Sequence, residues 1–282
     1  MINVELKGGA VKEFENGTTP AEIAKSIGAG LYKSVCCAKV DGDLCDLRTP
    51  LEKDCKVELL TFDNVDGQKT FWHTASHVLA QAVKRLYPNA KCAIGPAVDN
   101  GFYYDFDVEK PFSPEDLEKI KAEMKKIVKS GLELERVELS PEEAEKKLEE
   151  MNEPYKVELV KEHSDKGEHI TFYKQGEFID LCAGPHLMSV APIKAIELTA
   201  CTGAYWRGDA NNAQLCRVYG VAFPKASMLE EHLKKLEEAK LRDHNKLGRE
   251  LEYFTTVDYV GQGLPILSSK GCKSCSAFTE MG

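Results

Sequence analysis

Apolar and polar positions alternate in distinct regimes along the chain, and the regimes predict the elements. At the N-terminus two short strand-like runs, Ile2–Leu6 and Val11–Phe14, flank Gly8-Gly9, which predicts a hairpin. Thr19-Pro20-Ala21-Glu22 then supplies a capping threonine, a proline at the first helical position and a glutamate three residues after the cap, predicting a helix to about Ile27. Ser34–Val40 alternates into the tight turn Asp41-Gly42, and Lys56–Phe62 reads as a closing strand. The predicted order ββαββ describes a small half-open sheet wrapped on one helix, spanning residues 1–62.

Residues 63–69 are polar and turn-rich and read as a linker. From Phe71 an apolar helical pattern runs to Leu86 and stops before Pro88. Cys92–Pro96 and Gly101–Phe106 read as strands. Ser113-Pro114-Glu115-Asp116 opens an amphipathic helix whose apolar positions are Leu117, Ile120, Met124, Ile127 and Val128, ending at Gly131. Leu132–Leu139 reads as a strand and Ser140-Pro141 as another helix start, with strands returning at His169–Lys174, Glu177–Asp180, Ala195–Ala200 and Gln214–Val221. Residues 63–224 are therefore expected to be α+β with a largely antiparallel sheet. Ala226–Glu250 reads as one long, mostly polar helix of mixed charge, a solvated connector in 225–250, and Leu251–Val260 begins a further element in 251–282.

Composition narrows this picture. The 282 residues, 43% of them hydrophobic, suffice for two or three domains. The net charge of -9 gives no global attraction to nucleic acid, which leaves only a local basic groove, with Lys84, Arg85 and Lys91 as candidates. No apolar stretch approaches a membrane span and no secretory leader pattern is present, so a reducing cytoplasm and free thiols are expected for the ten irregularly spaced cysteines.

The candidate chemistry lies in two segments. His73 and His77, four apart in a predicted helix, project from one face. About a hundred residues later comes Asp180-Leu181-Cys182-Ala183-Gly184-Pro185-His186. Two histidines, a cysteine and a third histidine could form a tetrahedral zinc set or a polar cluster that organises water. The spacing approaches H-E-x-x-H, but Thr74 stands where that motif carries its glutamate base, which weakens the metalloprotease reading. Nothing around Cys182 marks the cationic setting of an activated thiolate, so it is better read as a pocket wall than as a nucleophile.

The string His73-Thr74-Ala75-Ser76-His77-Val78-Leu79-Ala80-Gln81-Ala82 resembles the editing-domain motif of threonyl-tRNA synthetases, and Cys182-Ala183-Gly184-Pro185-His186 resembles its partner motif. Ala93-Ile94-Gly95-Pro96, Gly101-Phe102-Tyr103-Tyr104-Asp105, Thr202–Asp209, Leu215–Gly220 and Arg242–Leu251 follow in the order of that family, and Gly261–Pro265 resembles the opening turn of its aminoacylation domain. The resemblance implies a TGS domain of β-grasp fold at 1–62, an editing domain, and a linker helix. The class II core, with its ATP-binding arginines and catalytic zinc ligands, does not follow, so ATP use and threonine activation are not expected of this chain. Cys272–Gly282 departs from the family and is expected to be a disordered, truncated tail.

What the resemblance implies for chemistry is a second sieve. A pocket that accepts threonine discriminates against serine, smaller by one methyl, by only about 1–3 kcal/mol, so a separate site hydrolyses the seryl ester on tRNA(Thr). In that reading His73 is base or water-positioning group, Lys156 supplies positive charge to oxyanion or water, and His77 and His186 complete the polar wall. Cys182 narrows the pocket against the threonine methyl. Asp180 binds the substrate's amino group, while Gly95 and Tyr104 flank the terminal adenosine. No metal is expected for editing, with zinc on His73, His77, Cys182 and His186 as the alternative. The partner is the acceptor end of tRNA(Thr), held weakly. Two other readings are a zinc-dependent deacylase of another mischarged tRNA and a non-catalytic RNA-binding module.

Overall fold

A computed structural model of the chain describes residues 1–256 and 265–270. It divides into two compact units, the first Met1–Leu229 and the second starting at Glu230.

The first unit begins with β1 (Ile2–Leu6), β2 (Val11–Phe14), α1 (Pro20–Ile27), α2 (Ala29–Ser34), β3 (Val35–Val40), β4 (Asp43–Cys45) and β5 (Cys55–Thr61). The strands lie in the order β2-β1-β5-β3-β4, with β1 and β5 parallel and the other neighbours antiparallel. This is a β-grasp. Thr19 and Glu22 close the predicted capping box on α1, whose Ala21, Ile23 and Ala24 face Ile2, Val4, Leu47 and Val57. The order is ββααβββ rather than ββαββ, because α2 and the short β4 escape the pattern. The alternation expected of Ser34–Val40 also fails. Val35 through Ala38 are all buried, since Val35 and Ala38 belong to the core of this domain while Cys36 enters the next one.

The linker expected at 63–69 is instead the first turns of α3 (Val65–Leu86). Its polar residues and Gly67 hid the helix from the pattern. Glycine is needed there because an added Cβ would fall 2.0 Å from the Thr61 carbonyl oxygen, where the helix crosses the end of β5. From Thr70 to Val83 every residue except His73 is buried, so α3 is a central helix rather than a surface one.

Around α3 lie β6 (Lys91–Cys92), β7 (Ala97–Val98), β8 (Gly101–Asp107), α4 (Pro114–Ser130), β9 (Leu134–Glu138), α5 (Pro141–Glu150), α6 (Pro154–Asp165), β10 (Thr171–Gln175), β11 (Phe178–Leu181), β12 (Ala195–Tyr205) and β13 (Gln214–Phe223). They build two antiparallel sheets, β12-β13-β8-β6 with β7 also on β8, and β11-β10-β9. The α+β, antiparallel expectation is met, with two sheets in place of one. Cys92–Pro96 forms no full strand, because Pro96 has no N–H to extend the ladder. The sheet of β8 and β13 and the helix α4 pack on α3 through Phe102, Phe106, Ile120, Met124 and Val218, while α5, α6 and β10 enclose a smaller core of Leu148, Val160 and Phe172.

The expected single connector of 226–250 is broken into α7 (Ala226–Leu241) and α8 (His244–Glu250). Asp243 causes the break, its carboxylate accepting the Lys246 N–H at 3.0 Å as an N-cap. In the second unit β14 (Phe254–Thr256) pairs with β15 (Pro265–Leu267). Most of the Gly261–Pro265 turn and all of the 272–282 tail lie outside the described residues. Among the described residues no helix is long and apolar enough to cross a membrane.

Candidate active site

The helical period of α3 brings His73 and His77 into one column, with ring centroids 5.3 Å apart. Thr74, between them, donates to the Thr70 carbonyl and meets His186 Nδ1 at 3.1 Å. With its only proton so committed, Thr74 accepts from His186, which leaves His186 Nε2 unprotonated toward Cys182. Cys182 Sγ lies 3.2 Å from both His186 Nε2 and His73 Nε2. The Cys182 turn and the histidine helix, separated by 109 residues, therefore share one cluster. Glycines shape it. At Gly184 φ is +76° and an added Cβ would come within 2.3 Å of the Tyr173 hydroxyl, while at Gly95 one would fall 2.0 Å from the Tyr104 ring.

A second group of charges stands beside the first. Lys156, on α6, is buried, with its Nζ 2.8 Å from Asp180 Oδ1. Asp180 Oδ2 accepts the Tyr104 hydroxyl at 2.6 Å and lies 3.6 Å from His77 Nε2. Burial opposes the charge on Lys156, but the Asp180 carboxylate outweighs it and holds the ammonium above its usual range. Burial likewise works against the Asp180 carboxylate, and the charge of Lys156 together with the hydrogen bonds from Lys156 and Tyr104 reverses its effect. The three histidines go the other way. Burial pushes His73 down to about 4 and His77 to about 3, against the pull of Asp180, and takes His186 well below its ordinary value. Burial also raises the Cys182 thiol to about 12. At neutral pH the cluster is three uncharged imidazoles and a thiol beside one ion pair.

These side chains open on a cleft of about 360 Å³ lined by His73, His77, Gly95, Lys156, Asp180 and Cys182. All the expected residues thus converge, but two occupy other places than expected. Tyr104 is fully buried behind Asp180, stacked on Phe106, so it supports the carboxylate rather than flanking a nucleoside. Asp180 is 4% exposed and each of its oxygens already has a partner, Lys156 on Oδ1 and Tyr104 on Oδ2, so its first role here is to hold those groups. Lys84, Arg85 and Lys91 are paired with Glu153, with Glu177 and Glu123, and with Asp107, so the basic groove sought there is neutralised. The pattern also missed Thr74 as a partner of His186, and Ser76, which donates to the Gly95 carbonyl at 2.6 Å. Both sit inside the histidine string, one turn from a ligand-like residue, and that spacing was their only signal.

The donor set is compatible in residue type with a divalent ion. The candidate ligand atoms of His73, His77, Cys182 and His186 lie within 4.8 Å of one another, slightly wider than the roughly 3.3–3.6 Å edges of a tetrahedral zinc shell. His77 Nδ1 is buried without a hydrogen-bond partner, while its Nε2 lies 3.6 Å from Asp180.

Residues 2–61 match the TGS domain family, and residues 170–219 match the family described as the threonyl and alanyl tRNA synthetase second additional domain. By its description, the second of these families is an accessory domain of threonyl and alanyl tRNA synthetases. The chain is 56% identical over 273 residues to the threonine–tRNA ligase of Clostridium perfringens, covering 97% of this chain and 42% of that protein. It is 55% identical over 271 residues to that of Acetivibrio thermocellus and 54% identical over 268 residues to that of Caldanaerobacter subterraneus. Over nearly its whole length the chain is similar to threonine–tRNA ligases, and it spans about two fifths of the length of these relatives.

Proposed function

We propose that this chain hydrolyses the ester of seryl-tRNA(Thr) and spares threonyl-tRNA(Thr). Residues 1–62 form the TGS domain, 63–224 the editing domain and 225–250 the connector, with 251–282 the start of a further domain. The carrying observation is the meeting of neutral His73, the Cys182 thiol and the Lys156 ammonium on one cleft. In the reaction a water attacks the ester carbonyl while His73 accepts its proton, an imidazole kept neutral at working pH being ready for that transfer. Lys156 opposes the charge that develops on the carbonyl oxygen. The carbon–oxygen bond to the ribose then breaks, and the proton passes to the departing hydroxyl. Cys182 and the Gly184 turn set the depth available to the side chain, admitting a hydroxymethyl group and colliding with an added methyl.

A second reading has a specific observation behind it, the unpartnered His77 Nδ1 in a set of four zinc-type donors. In that reading His73, His77, Cys182 and His186 hold zinc, which would supply a Lewis acid and an acidified water. One experiment separates the readings. Purified protein, before and after chelation, is incubated with seryl- and threonyl-tRNA(Thr). Selective loss of the seryl ester, insensitive to chelation and abolished by His73→Ala, is expected. Activity lost with stoichiometric zinc and restored by adding it back would favour the second reading. No hydrolysis in any condition would leave a binding module.

A further inference from the structure

The turn that closes the cleft is held from outside the editing domain. Between β4 and β5 the β-grasp domain sends Asp46 and Arg48 under the turn that carries Cys182 and His186. Asp46 is 7% exposed, and its Oδ2 accepts both the His186 N–H at 3.2 Å and the Tyr173 hydroxyl at 2.8 Å. Its Oδ1 accepts the Arg48 N–H at 2.9 Å and the guanidinium at 3.0 Å. Arg48 in turn donates to the carbonyls of Leu134 and Leu187 at 2.8 Å each, and to that of His186 at 3.4 Å. The peptide on either side of His186 is thus gripped from a different domain, by acceptor and donor together. The Tyr173 hydroxyl fixed by Asp46 occupies the space a side chain at position 184 would need.

We infer that Asp46 and Arg48 are positioning residues for ester hydrolysis, so that the β-grasp domain completes the active site rather than merely preceding it. The inference rests on the hydrolytic reading above. Neither residue touches the cleft's reacting groups. They hold the His186 backbone, and through the 3.2 Å contact of His186 with Cys182 they set the pocket floor against α3. Misplacement of a catalytic group by about an ångström is enough to lower a rate a hundredfold.

The test uses the whole chain. In Asp46→Asn one of the two side-chain atoms becomes an NH2 that cannot accept, so the Arg48 pair or the two bonds at Oδ2 must be lost. Arg48→Lys keeps the charge but cannot span three carbonyls. Each variant is expected to lower kcat for seryl-tRNA(Thr) by about tenfold or more with KM within about twofold, read well below a thermal midpoint that itself falls because a buried pair is weakened. Lys7→Ala, at an exposed ion pair elsewhere on the same domain, is the control and should change nothing. Unchanged kcat in either variant, or a lowered thermal midpoint with full activity, overturns the inference. If Asp46→Asn does not fold, Arg48→Lys decides. Should the unsubstituted chain spare the seryl ester, the hydrolytic reading fails instead. The catalytic part of the inference falls with it, and hydrogen exchange of the His186 N–H in Arg48→Lys then tests the grip alone, which is refuted if exchange does not quicken.

Discussion

Lys156 has almost no water around it and keeps its charge because a carboxylate lies 2.8 Å away. Removing one partner of such a buried pair costs about 3–5 kcal/mol, since the other is left charged and unsolvated, whereas removing both is far milder. Lys156→Met is therefore expected to lower the urea midpoint strongly and abolish ester hydrolysis. Adding Asp180→Asn should recover most of the stability and none of the activity. The histidines give a pH effect of definite sign. His73 and His77 bind protons at about 4 and 3 in the folded chain, and near 6.5 when unfolded. Between pH 6.5 and 4 the unfolded state holds more protons, so stability falls as the pH is lowered through that window. In chelated protein, urea unfolding at pH 7 and pH 5 should show this loss. His77→Gln should reduce its slope by roughly 1.4 kcal/mol per pH unit.

At the scale of elements, α3 shows where pattern reading succeeds and where it stops. The run Phe71–Leu86 was legible because its apolar residues follow the helical period, and that period alone put His73 over His77. Its first turns were not legible, because Gly67 and the polar residues near it have the composition of a loop. The fact that makes them helical, a crossing against the end of β5, is tertiary. The same crossing yields a prediction whose sign depends on magnitudes. In a free helix Gly67→Ala would gain up to about 1 kcal/mol from propensity. Here the new methyl meets a backbone oxygen at 2.0 Å, and backbone cannot swing aside. Overpacking of this kind costs about 1–3 kcal/mol, so Gly67→Ala is expected to lower the urea midpoint. Capping boxes were equally legible, at Thr19, Ser113 and Ser140, because each is a local contract among four residues. The break at Asp243 uses the same chemistry, but its surroundings read as an unbroken charged helix.

For the whole molecule, the pieces of the site were readable and its assembly was not. His73, His77, Cys182 and His186 are residue types that announce chemistry, and the family resemblance selected Lys156. Asp46, Arg48 and Tyr173 carry no such signal, since a charged pair before Thr49-Pro50 looks like any solvated turn. Charge behaves similarly. Lys84, Arg85 and Lys91 counted as candidate phosphate contacts until their carboxylate partners were located. With a net charge of -9 and these cations occupied, tRNA binding by this chain should be weak. The slope of log K against log salt is expected to correspond to about three phosphates or fewer, read by filter binding between roughly 50 and 200 mM salt.

The 109-residue gap between His73 and Cys182 also sets a timetable. A ribosome adding about 5–20 residues per second releases the histidine helix roughly 5–20 s before the strand and turn that cover it. Through that interval α3 has β8 and α4 to pack on but still lacks β13 and the Cys182 turn. Factors that bind emerging apolar segments would meet this nascent chain there, with the first domain already folded and the histidine–cysteine cluster still to close.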